Sequence, residues 1–308
     1  MIITLTLNPA VDASTTVDRL IPEQKLRCEE PRYDAGGGGL NVSKAIHRLG
    51  GKSLALFTSG GATGLTLQQL VEEEGIDHQI IGIENWSRQN FIVTETSSNQ
   101  QFRFGTPGPT LSPAESDVCL AALRSVTDHA DFIVASGSLP PGLPDDFYAT
   151  LAHEAKAMGA KFVLDTSGEP LRAAVSEGVF LLKPNIHELA RLVGQEKLEL
   201  NDVDDAALEI INKGNCAIVV VSLGPQGALL VTKDSCEHVQ APTVKKLSTV
   251  GAGDSMVGGM VHALAEGKSH REMVRLGVAC GTAATMNAGS ELFKKADVDR
   301  LFSYLNRS

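Results

Sequence analysis

Short β-branched apolar runs alternate with helical stretches along most of the 308-residue chain. Most of these runs are apolar throughout, which is typical of parallel strands that are covered on both faces. The repeated β-α order predicts a doubly wound α/β fold built on a largely parallel sheet. Strands are predicted at residues 2–7, 54–58, 132–136, 161–165, 179–183, 217–222 and 228–232.

Helices are predicted between several of these strands. Apolar residues at positions i, i+3, i+4 and i+7 predict a helix over 42–49, which Gly50 ends. Ser112, Pro113 and Glu115 supply a capping Ser, an N1 Pro and an N3 Glu, so we expect another helix to begin there.

Two stretches interrupt this order. Residues 14–33 lack a helical period and contain Pro22 and Pro31, whereas 91–105 reads as two alternating strands around a polar turn. Both could pair into a small sheet that covers the ends of the parallel strands as a lid. Nothing in the composition requires a second independent domain. We therefore expect one domain over residues 1–308, with lid segments at approximately 13–34 and 86–106.

Composition excludes several classes of protein. A formal net charge of −10 argues against a nucleic-acid partner, because phosphate backbones require a basic surface. The chain has no uncharged apolar stretch of membrane-spanning length and no secretory signal pattern. Its five cysteines are widely spaced, without a CxxC pair, which disfavours a disulfide framework or a zinc ribbon. We expect a cytoplasmic protein without a membrane partner.

The strongest chemical signal is the run Gly251-Ala252-Gly253-Asp254, which precedes apolar residues at helical spacing. Free backbone N–H groups at a helix N-terminus bind anions, and glycines let a ligand approach them. The Asp254 carboxylate could accept a proton from a hydroxyl while the amides hold a transferring phosphoryl group. The simpler interpretation is an Asp that only favours the helix dipole, although the flanking glycine pairs argue against it.

A second glycine run, residues 36–39, precedes Asn41 and the predicted helix. Four glycines cost backbone entropy, so we expect either a close approach of substrate or a flexible hinge. In the first case, Asn41 could hydrogen-bond sugar hydroxyls. The run matches neither a Rossmann fingerprint nor a P-loop.

Two further motifs lie at strand ends. Asn185 and Glu188 have the spacing of a helix capping box, which would explain both without a ligand. Alternatively, they organise Mg²⁺ through water beside nucleotide phosphates, with Lys183 next to them. Residues 224–227, Gly-Pro-Gln-Gly, form an ordinary turn motif that could also line a nucleotide pocket.

Cations lie in or beside both lid segments, at Lys25, Arg27, Arg88 and Arg103. Lid cations can clamp a phosphorylated substrate. Any one of them taken singly is more often a solvated surface charge.

Taken together, these motifs resemble those of the ribokinase-like, PfkB-type sugar kinases, over essentially the whole chain. The resemblance rests on both glycine motifs and on residues 5–12, 23–28, 86–90, 136–142, 183–185 and 222–227. It implies a three-layer α/β/α domain with a small β-sheet lid, and lids of this family often pair into homodimers. Within the family, the chain is most similar to the branch that phosphorylates fructose 6-phosphate.

The resemblance also implies roles for individual residues in ATP-dependent phosphorylation of fructose 6-phosphate at its 1-hydroxyl, which yields fructose 1,6-bisphosphate and ADP. The base would be Asp254, and the anion hole Gly251, Ala252 and Gly253. The sugar phosphate would be held by Asp12, Lys25, Gly37, Gly38, Gly39, Asn41, Arg88, Arg103 and Ser138. ATP would be bound by Lys183, Asn185, Ser222, Gly224, Pro225, Gln226, Gly227, Ser248 and Asn287. Glu188 would organise Mg²⁺ through water, and K⁺ would be held by backbone oxygens of Val250, Ala284 and Gly289.

Alternatives remain at this stage. Residues 6–12 are closer to the pattern of 1-phosphofructokinases and tagatose-6-phosphate kinases, but Gly38 stands where those relatives usually carry a Lys. A different class is a catalytically silent sugar-phosphate sensor, which would have no need of Asp254. A nicotinamide dehydrogenase is disfavoured, because no G-x-G-x-x-G follows the first strand.

Overall fold

A computed structural model of the chain describes residues 1–126 and 130–307. Its strands, in chain order, are β1 (Ile2–Thr6), β2 (Ala10–Val17), β3 (Arg32–Gly36), β4 (Leu54–Ser59), β5 (His78–Gly82), β6 (Arg88–Glu95), β7 (Gln100–Phe104), β8 (Phe132–Ser136), β9 (Lys161–Asp165), β10 (Val179–Leu182), β11 (Cys216–Ser222), β12 (Ala228–Thr232) and β13 (Cys236–Val239). Its α-helices are α1 (Gly38–Arg48), α2 (Gly61–Glu73), α3 (Pro113–Ser125), α4 (Phe147–Ala157), α5 (Gly168–Glu177), α6 (Ile186–Leu192), α7 (Val203–Asn212), α8 (Ala252–Ala265), α9 (His270–Ala284) and α10 (Lys295–Leu305).

The main sheet has the strand order β13-β12-β11-β10-β9-β8-β1-β4-β5. Every neighbouring pair from β11 to β5 is parallel. The antiparallel pairs of the described sheet are β11–β12 and β12–β13, at one edge. All seven predicted strands are present, with ends that agree within one residue. The prediction missed β5 and β13, the two edge strands. Edge strands are half-exposed, so they lack the continuous apolar run that marks the central ones.

Helices cover the main sheet on both faces, as expected for a three-layer α/β/α fold. Alternate residues of one strand belong to different cores: Leu164 of β9 packs with the core beneath α3–α7, and Val163 packs with the core beneath α1 and α8–α10. Burial on both faces explains why these strands are apolar throughout. Helices α8 and α9 pack against each other. A Cβ atom on Gly281, near the end of α9, would lie 3.1 Å from the carbonyl oxygen of Ala252, the first residue of α8.

A small second sheet has the order β3-β2-β6-β7. We call this sheet the lid. It confirms the predicted separate β-sheet, although β2 begins at Ala10, three residues before the predicted lid segment. The β2–β6 pair is parallel, and both β2–β3 and β6–β7 are antiparallel.

The helix predicted over 42–49 begins four residues earlier, at Gly38. The glycine run is therefore not a loop. Gly36 ends β3, Gly37 is the N-cap with φ 122°, and Gly38 and Gly39 are helical. Glycine disfavours a helix interior, so the surroundings of these residues, rather than local propensity, must select this start.

None of the described helices is long and apolar enough to cross a membrane. The five cysteines are free thiols, as their spacing predicts.

Candidate active site

Asp254 lies in the first turn of α8, above the C-terminal edge of the main sheet. No described side chain caps this helix, and its N-cap, Gly251, adopts a left-handed backbone with φ 70°. A Cβ atom on Gly251 would lie 2.4 Å from Leu292 Cδ2, which a shift of that side chain could relieve, so it is the left-handed backbone that requires glycine. The first-turn amides of α8 thus form a bare, positively polarised helix end, suited to an anion.

Two side chains from other elements hold the Asp254 carboxylate. Asn41 Nδ2 of α1 donates to Oδ2 at 2.9 Å, and Ser136 Oγ at the end of β8 donates to Oδ1 at 3.3 Å. Burial, reinforced by the Asp165 carboxylate, raises the pKa of Asp254 to about 6, although both hydrogen bonds and Lys183 oppose the shift. A carboxylate of that pKa is matched to general-base chemistry near neutral pH.

Lys183, directly after β10, forms a buried ion pair with Asp165, the last residue of β9, with 3.2 Å between Nζ and Oδ1. Burial opposes the charge on Lys183, but the nearby carboxylates of Asp165, Glu188 and Asp254 outweigh it and raise the pKa of the amine. A Cβ atom on Gly253 would lie 3.4 Å from Lys183 Nζ. The ammonium group therefore lies beside the anion-binding end of α8.

The glycines at the start of α1 pack against the strand ends. A Cβ atom on Gly38 would lie 2.2 Å from Ser136 Oγ, and one on Gly39 would lie 2.5 Å from the carbonyl oxygen of Leu5. Real side chains never come so close. The run is a tight cradle, not a flexible hinge, and it brings Asn41 to Asp254.

At the start of α6, the predicted capping box is present. Asn185 Oδ1 accepts from the amides of His187 and Glu188 at 2.9 Å, and Glu188 Oε2 accepts from the Asn185 amide at 2.8 Å. Burial and then Asp165 raise the pKa of Glu188 above its usual value. The cap explains both positions structurally, and it leaves the second carboxylate oxygen of Glu188 for another partner.

Ser222 at the end of β11 is joined to Asn185 by an isolated β-bridge. The following residues make the turn between antiparallel β11 and β12, as their composition predicts. Gly227, with φ 92°, must be glycine because a Cβ atom would lie 2.0 Å from the carbonyl oxygen of Val239. Pro225 and Gln226 border a cavity of about 580 Å³ between this turn and the start of α7.

Two further loops meet beside α8. The Ser248 hydroxyl donates to the carbonyl oxygen of Gly289 at 2.7 Å and accepts from the Val250 amide at 3.1 Å. The amide of Asn287 donates to the carbonyl oxygen of Ala284. The structure thus gathers residues 248–250 and 284–289 next to the start of α8.

The inner face of the lid carries polar groups. Asp12 is buried against Gly36 and accepts a 2.9 Å hydrogen bond from Asn90 Nδ2. Burial raises the pKa of Asp12, and Asn90 and then Arg88 oppose the shift. One strand further, Asp34 accepts from Ser290 Oγ at 2.6 Å.

Arg88 and Ser138 line one cavity of about 470 Å³, which extends along residues 139–145 to Thr166. The structure therefore brings these two predicted residues to one cavity. Arg103 lies elsewhere on the lid and donates to Thr249 Oγ1 at 2.7 Å, so it contacts the loop before α8. Lys25 is exposed in the segment between β2 and β3, and it makes no hydrogen bond or ion pair with the described residues.

Sequence reasoning missed two residues that contact the central cluster, Asp165 and Ser136. Each ends a predicted parallel strand, and side chains at that edge converge in α/β folds, so strand position was the available signal. No group of three or more His, Cys, Asp or Glu residues within the described ranges is arranged to hold a metal ion directly.

Comparisons with known proteins agree with this geometry. The model of the pfkB family of carbohydrate kinases matches residues 5–295. The ATP-dependent 6-phosphofructokinase isozyme 2 of Escherichia coli is 45% identical over 307 residues, which is 99% of each chain. A 1-phosphofructokinase of Xanthomonas campestris is 35% identical over 281 residues, 88% of this chain and 86% of the relative. A crystal structure of Escherichia coli phosphofructokinase-2 in complex with fructose 6-phosphate has a TM-score of 0.94, at 43% identity and over 99% of each chain.

Proposed function

Because the chain belongs to the pfkB family of carbohydrate kinases, as its motifs indicate, we propose that it phosphorylates fructose 6-phosphate at the 1-hydroxyl, with ATP as the donor. The observation that carries this proposal is the placement of Asp254, a carboxylate with a pKa of about 6 at the bare, glycine-lined end of α8. Higher identity to a 6-phosphofructokinase than to a 1-phosphofructokinase supports the choice of sugar phosphate.

In this function Asp254 is the general base. Asn41 and Ser136 fix its two oxygens, so the carboxylate is held in place before the substrate arrives. It accepts the proton of the 1-hydroxyl, and the sugar oxygen then attacks the terminal phosphorus of ATP, whose bond to the β-phosphate oxygen breaks. The amides at the start of α8 and the Lys183 ammonium stabilise the negative charge on the transferring group.

A divalent cation, Mg²⁺ in this proposal, supplies charge neutralisation between the phosphates of bound ATP. Glu188 fits an indirect contact through water, because its cap uses one oxygen and leaves the other. The nucleotide itself is assigned to Lys183, Asn185, Ser222, Gly224, Pro225, Gln226, Gly227, Ser248 and Asn287. K⁺ is assigned to the backbone oxygens of Val250, Ala284 and Gly289; those of Ala284 and Gly289 each accept one hydrogen bond and keep a second lone pair for an ion.

The sugar phosphate is assigned to the lid side. Asp12 and Asn90 would bind hydroxyls, whereas Arg88 and Ser138 share a cavity that fits the 6-phosphate. Arg103, which contacts Thr249 in the loop before α8, is assigned to the same substrate. Lys25 can take part only if its segment moves or a second copy of the chain presents it, because within one copy it has no contact with these residues.

We also propose that the lid forms a homodimer interface. On its outer face, four residues lie side by side across the strands β3, β2, β6 and β7: Tyr33, Ala13, Phe91 and Phe104. The three aromatic side chains are about half exposed, at 47%, 48% and 53%. An apolar row of this kind is typical of an interface. Together with the pairing of lids in the family, it supports a dimer; a cytoplasmic location stays a prediction.

The decisive experiment is an ATP-dependent activity panel that measures ADP release. It compares fructose 6-phosphate, fructose 1-phosphate, tagatose 6-phosphate and unphosphorylated fructose, with Asp254→Asn as the matched inactive control. We expect the highest kcat/KM with fructose 6-phosphate. A preference for another ketose phosphate would reassign the substrate, and binding without ADP release would favour the silent sensor.

A further inference from the structure

Asn8 lies between β1 and β2, in the least exposed part of the junction between the main sheet and the lid. It is 4% exposed and does not itself line a cavity. Its amide Nδ2 donates to the carbonyl oxygen of Pro107 at 2.9 Å, to Ser138 Oγ at 3.2 Å and to the carbonyl oxygen of Leu139 at 3.5 Å. One side chain therefore joins the segment that leaves the lid to the loop after β8.

The main chain of the same residue holds Arg88. The carbonyl oxygen of Asn8 accepts from Nε at 3.1 Å and from Nη2 at 2.8 Å, while Nη1 donates to the carbonyl oxygen of Thr106 at 2.8 Å. A guanidinium group has five N–H donors, so these three bonds leave two for a ligand. The planar group is thereby fixed in one orientation.

Four residues that line the 470 Å³ cavity are direct hydrogen-bond partners of Asn8: Arg88, Pro107, Ser138 and Leu139. Asn8 thus hydrogen-bonds both Arg88, through its main-chain carbonyl oxygen, and Ser138, through its side-chain amide. Thr106, whose carbonyl oxygen also holds Arg88, precedes Pro107, so the Asn8 side-chain amide supports the same segment that holds the guanidinium.

The opposite atom of the amide adds a second constraint. Asn8 Oδ1 is buried and has no hydrogen-bond partner. A Cβ atom on Gly108 would lie 2.1 Å from it, so the 106–108 segment packs directly on the carboxamide. The position of this segment is therefore sensitive to the orientation of the Asn8 side chain.

We infer that Asn8 is a positioning residue that selects phosphorylated sugars, because it is hydrogen-bonded to both Arg88 and Ser138, which line the cavity assigned to the phosphate. This inference rests on the proposed function for its substrate. Asn8 touches neither the substrate nor Asp254. Its loss should weaken binding of the phosphate end without slowing proton transfer.

The test compares Asn8→Ala with the wild-type enzyme in steady-state kinetics and in calorimetric titration with fructose 6-phosphate. We expect KM and Kd for fructose 6-phosphate to rise about tenfold or more. The expected kcat stays within about twofold, and KM for ATP and kcat/KM for unphosphorylated fructose stay unchanged. Equal losses with fructose and fructose 6-phosphate, or an unchanged KM and Kd, would overturn the inference.

A second perturbation leaves Asn8 itself intact. Gly108→Ala places a methyl group against Oδ1 and should reproduce the selective rise in KM even where Asn8→Ala folds poorly. Gly178→Ala is the matched control, since Gly178 has φ 96° beside 97° for Gly108 but no neighbour within 4 Å of its Cβ position. An identical KM in these two variants would count against the role of Asn8.

The calorimetric arm separates this inference from the proposed function. If the wild-type enzyme released no ADP but bound fructose 6-phosphate, the kinase proposal would fail while the loss of binding in Asn8→Ala still tested the clamp. If the wild-type enzyme preferred another ketose phosphate, the same comparison would be made with that sugar.

Discussion

Asn41 Nδ2 donates a 2.9 Å hydrogen bond to Asp254 Oδ2 across 213 positions of sequence. The bond joins α1, which follows lid strand β3, to α8, the helix proposed to bind the transferring group. It fixes the base with respect to the glycine cradle, so the acceptor hydroxyl and the phosphoryl site share one frame. This arrangement leads to predictions that separate catalytic from structural roles.

Replacing the base should abolish turnover while preserving the fold. We expect Asp254→Asn to lose at least about a hundredfold in kcat, because a general base contributes roughly 10²–10⁴-fold. ATP binding, measured by calorimetry, should be retained. Asp205→Asn, an exposed first-turn position of α7, is the control for a helix-dipole effect and should keep full activity. Similar turnover in both variants would remove Asp254 from the catalytic role.

The rate should depend on pH through the same carboxyl group. The pKa of Asp254 is raised to about 6, and the base must be deprotonated, so kcat/KM should rise through pH 6 and level off above it. The raised pKa favours the protonated folded state, so this group's contribution to stability falls as pH rises from about 4 to 6.

The neighbouring carboxylate provides the check on that profile. Asp165→Asn removes a negative charge beside Asp254 and should move the acidic limb to lower pH, as measured with saturating ATP. If the acidic limb stayed at the same pH in Asp165→Asn, another group would be responsible for it. The same would follow if the limb persisted in the residual activity of Asp254→Asn.

The glycine cradle predicts a steric effect. Gly38→Ala places a Cβ atom within 2.2 Å of Ser136 Oγ and 2.8 Å of the Gly137 amide nitrogen, so the helix or the strand end must shift. A shift near 1 Å at the base costs about a hundredfold in rate. Gly82→Ala is the control, because no atom lies within 4 Å of its Cβ position. A fully active Gly38→Ala variant would restore the hinge interpretation.

If the lid is the dimer interface, a charge placed there should lower the mass of the protein in solution. Phe91→Asp places a charge at the centre of the apolar row, and analytical ultracentrifugation should then show a monomer. Val118→Asp alters a similarly exposed residue of α3 and should leave the dimer intact. The lid would be excluded as the interface if both variants kept the wild-type mass.

The anchor between lid and main domain should be measurable as stability. Ser290→Ala leaves one oxygen of the buried Asp34 carboxylate without its 2.6 Å donor. The free energy of unfolding in urea should fall by about 1–3 kcal/mol. Ser303→Ala, at an exposed position of α10, should change it by less than about 0.5 kcal/mol. Equal small effects would show that the anchor contributes little.

The central fold could be predicted from sequence because buried parallel strands are apolar throughout, as at Phe132–Ser136. The strands of the lid could be predicted only in part. β2 alternates small and polar residues, and its apolar partners come from α2 and not from local sequence, so no periodic signal marked it.

The residues of the site could also be predicted only in part. Glycine motifs identified Asp254 and Asn41 because helix starts with unusual backbone requirements are visible in sequence. The contacts of Asp165 with Lys183, and of Asn8 with Ser138, depend on how strand ends and loops from distant segments meet. Those pairings are set by sheet order, which a single sequence does not specify.

Asp34 and Ser290 are 256 positions apart, and their bond seats the lid on the main domain. During synthesis at about 5–20 residues per second, Asp34 would leave the ribosome roughly 13–50 seconds before Ser290, and Phe104, the end of the last lid strand, roughly 9–37 seconds before it. Between the synthesis of Phe104 and that of Ser290, the nascent chain carries a complete lid that lacks this bond to the main domain. Newly made chains of this protein are therefore most prone to aggregate late in translation, just before the last helices emerge.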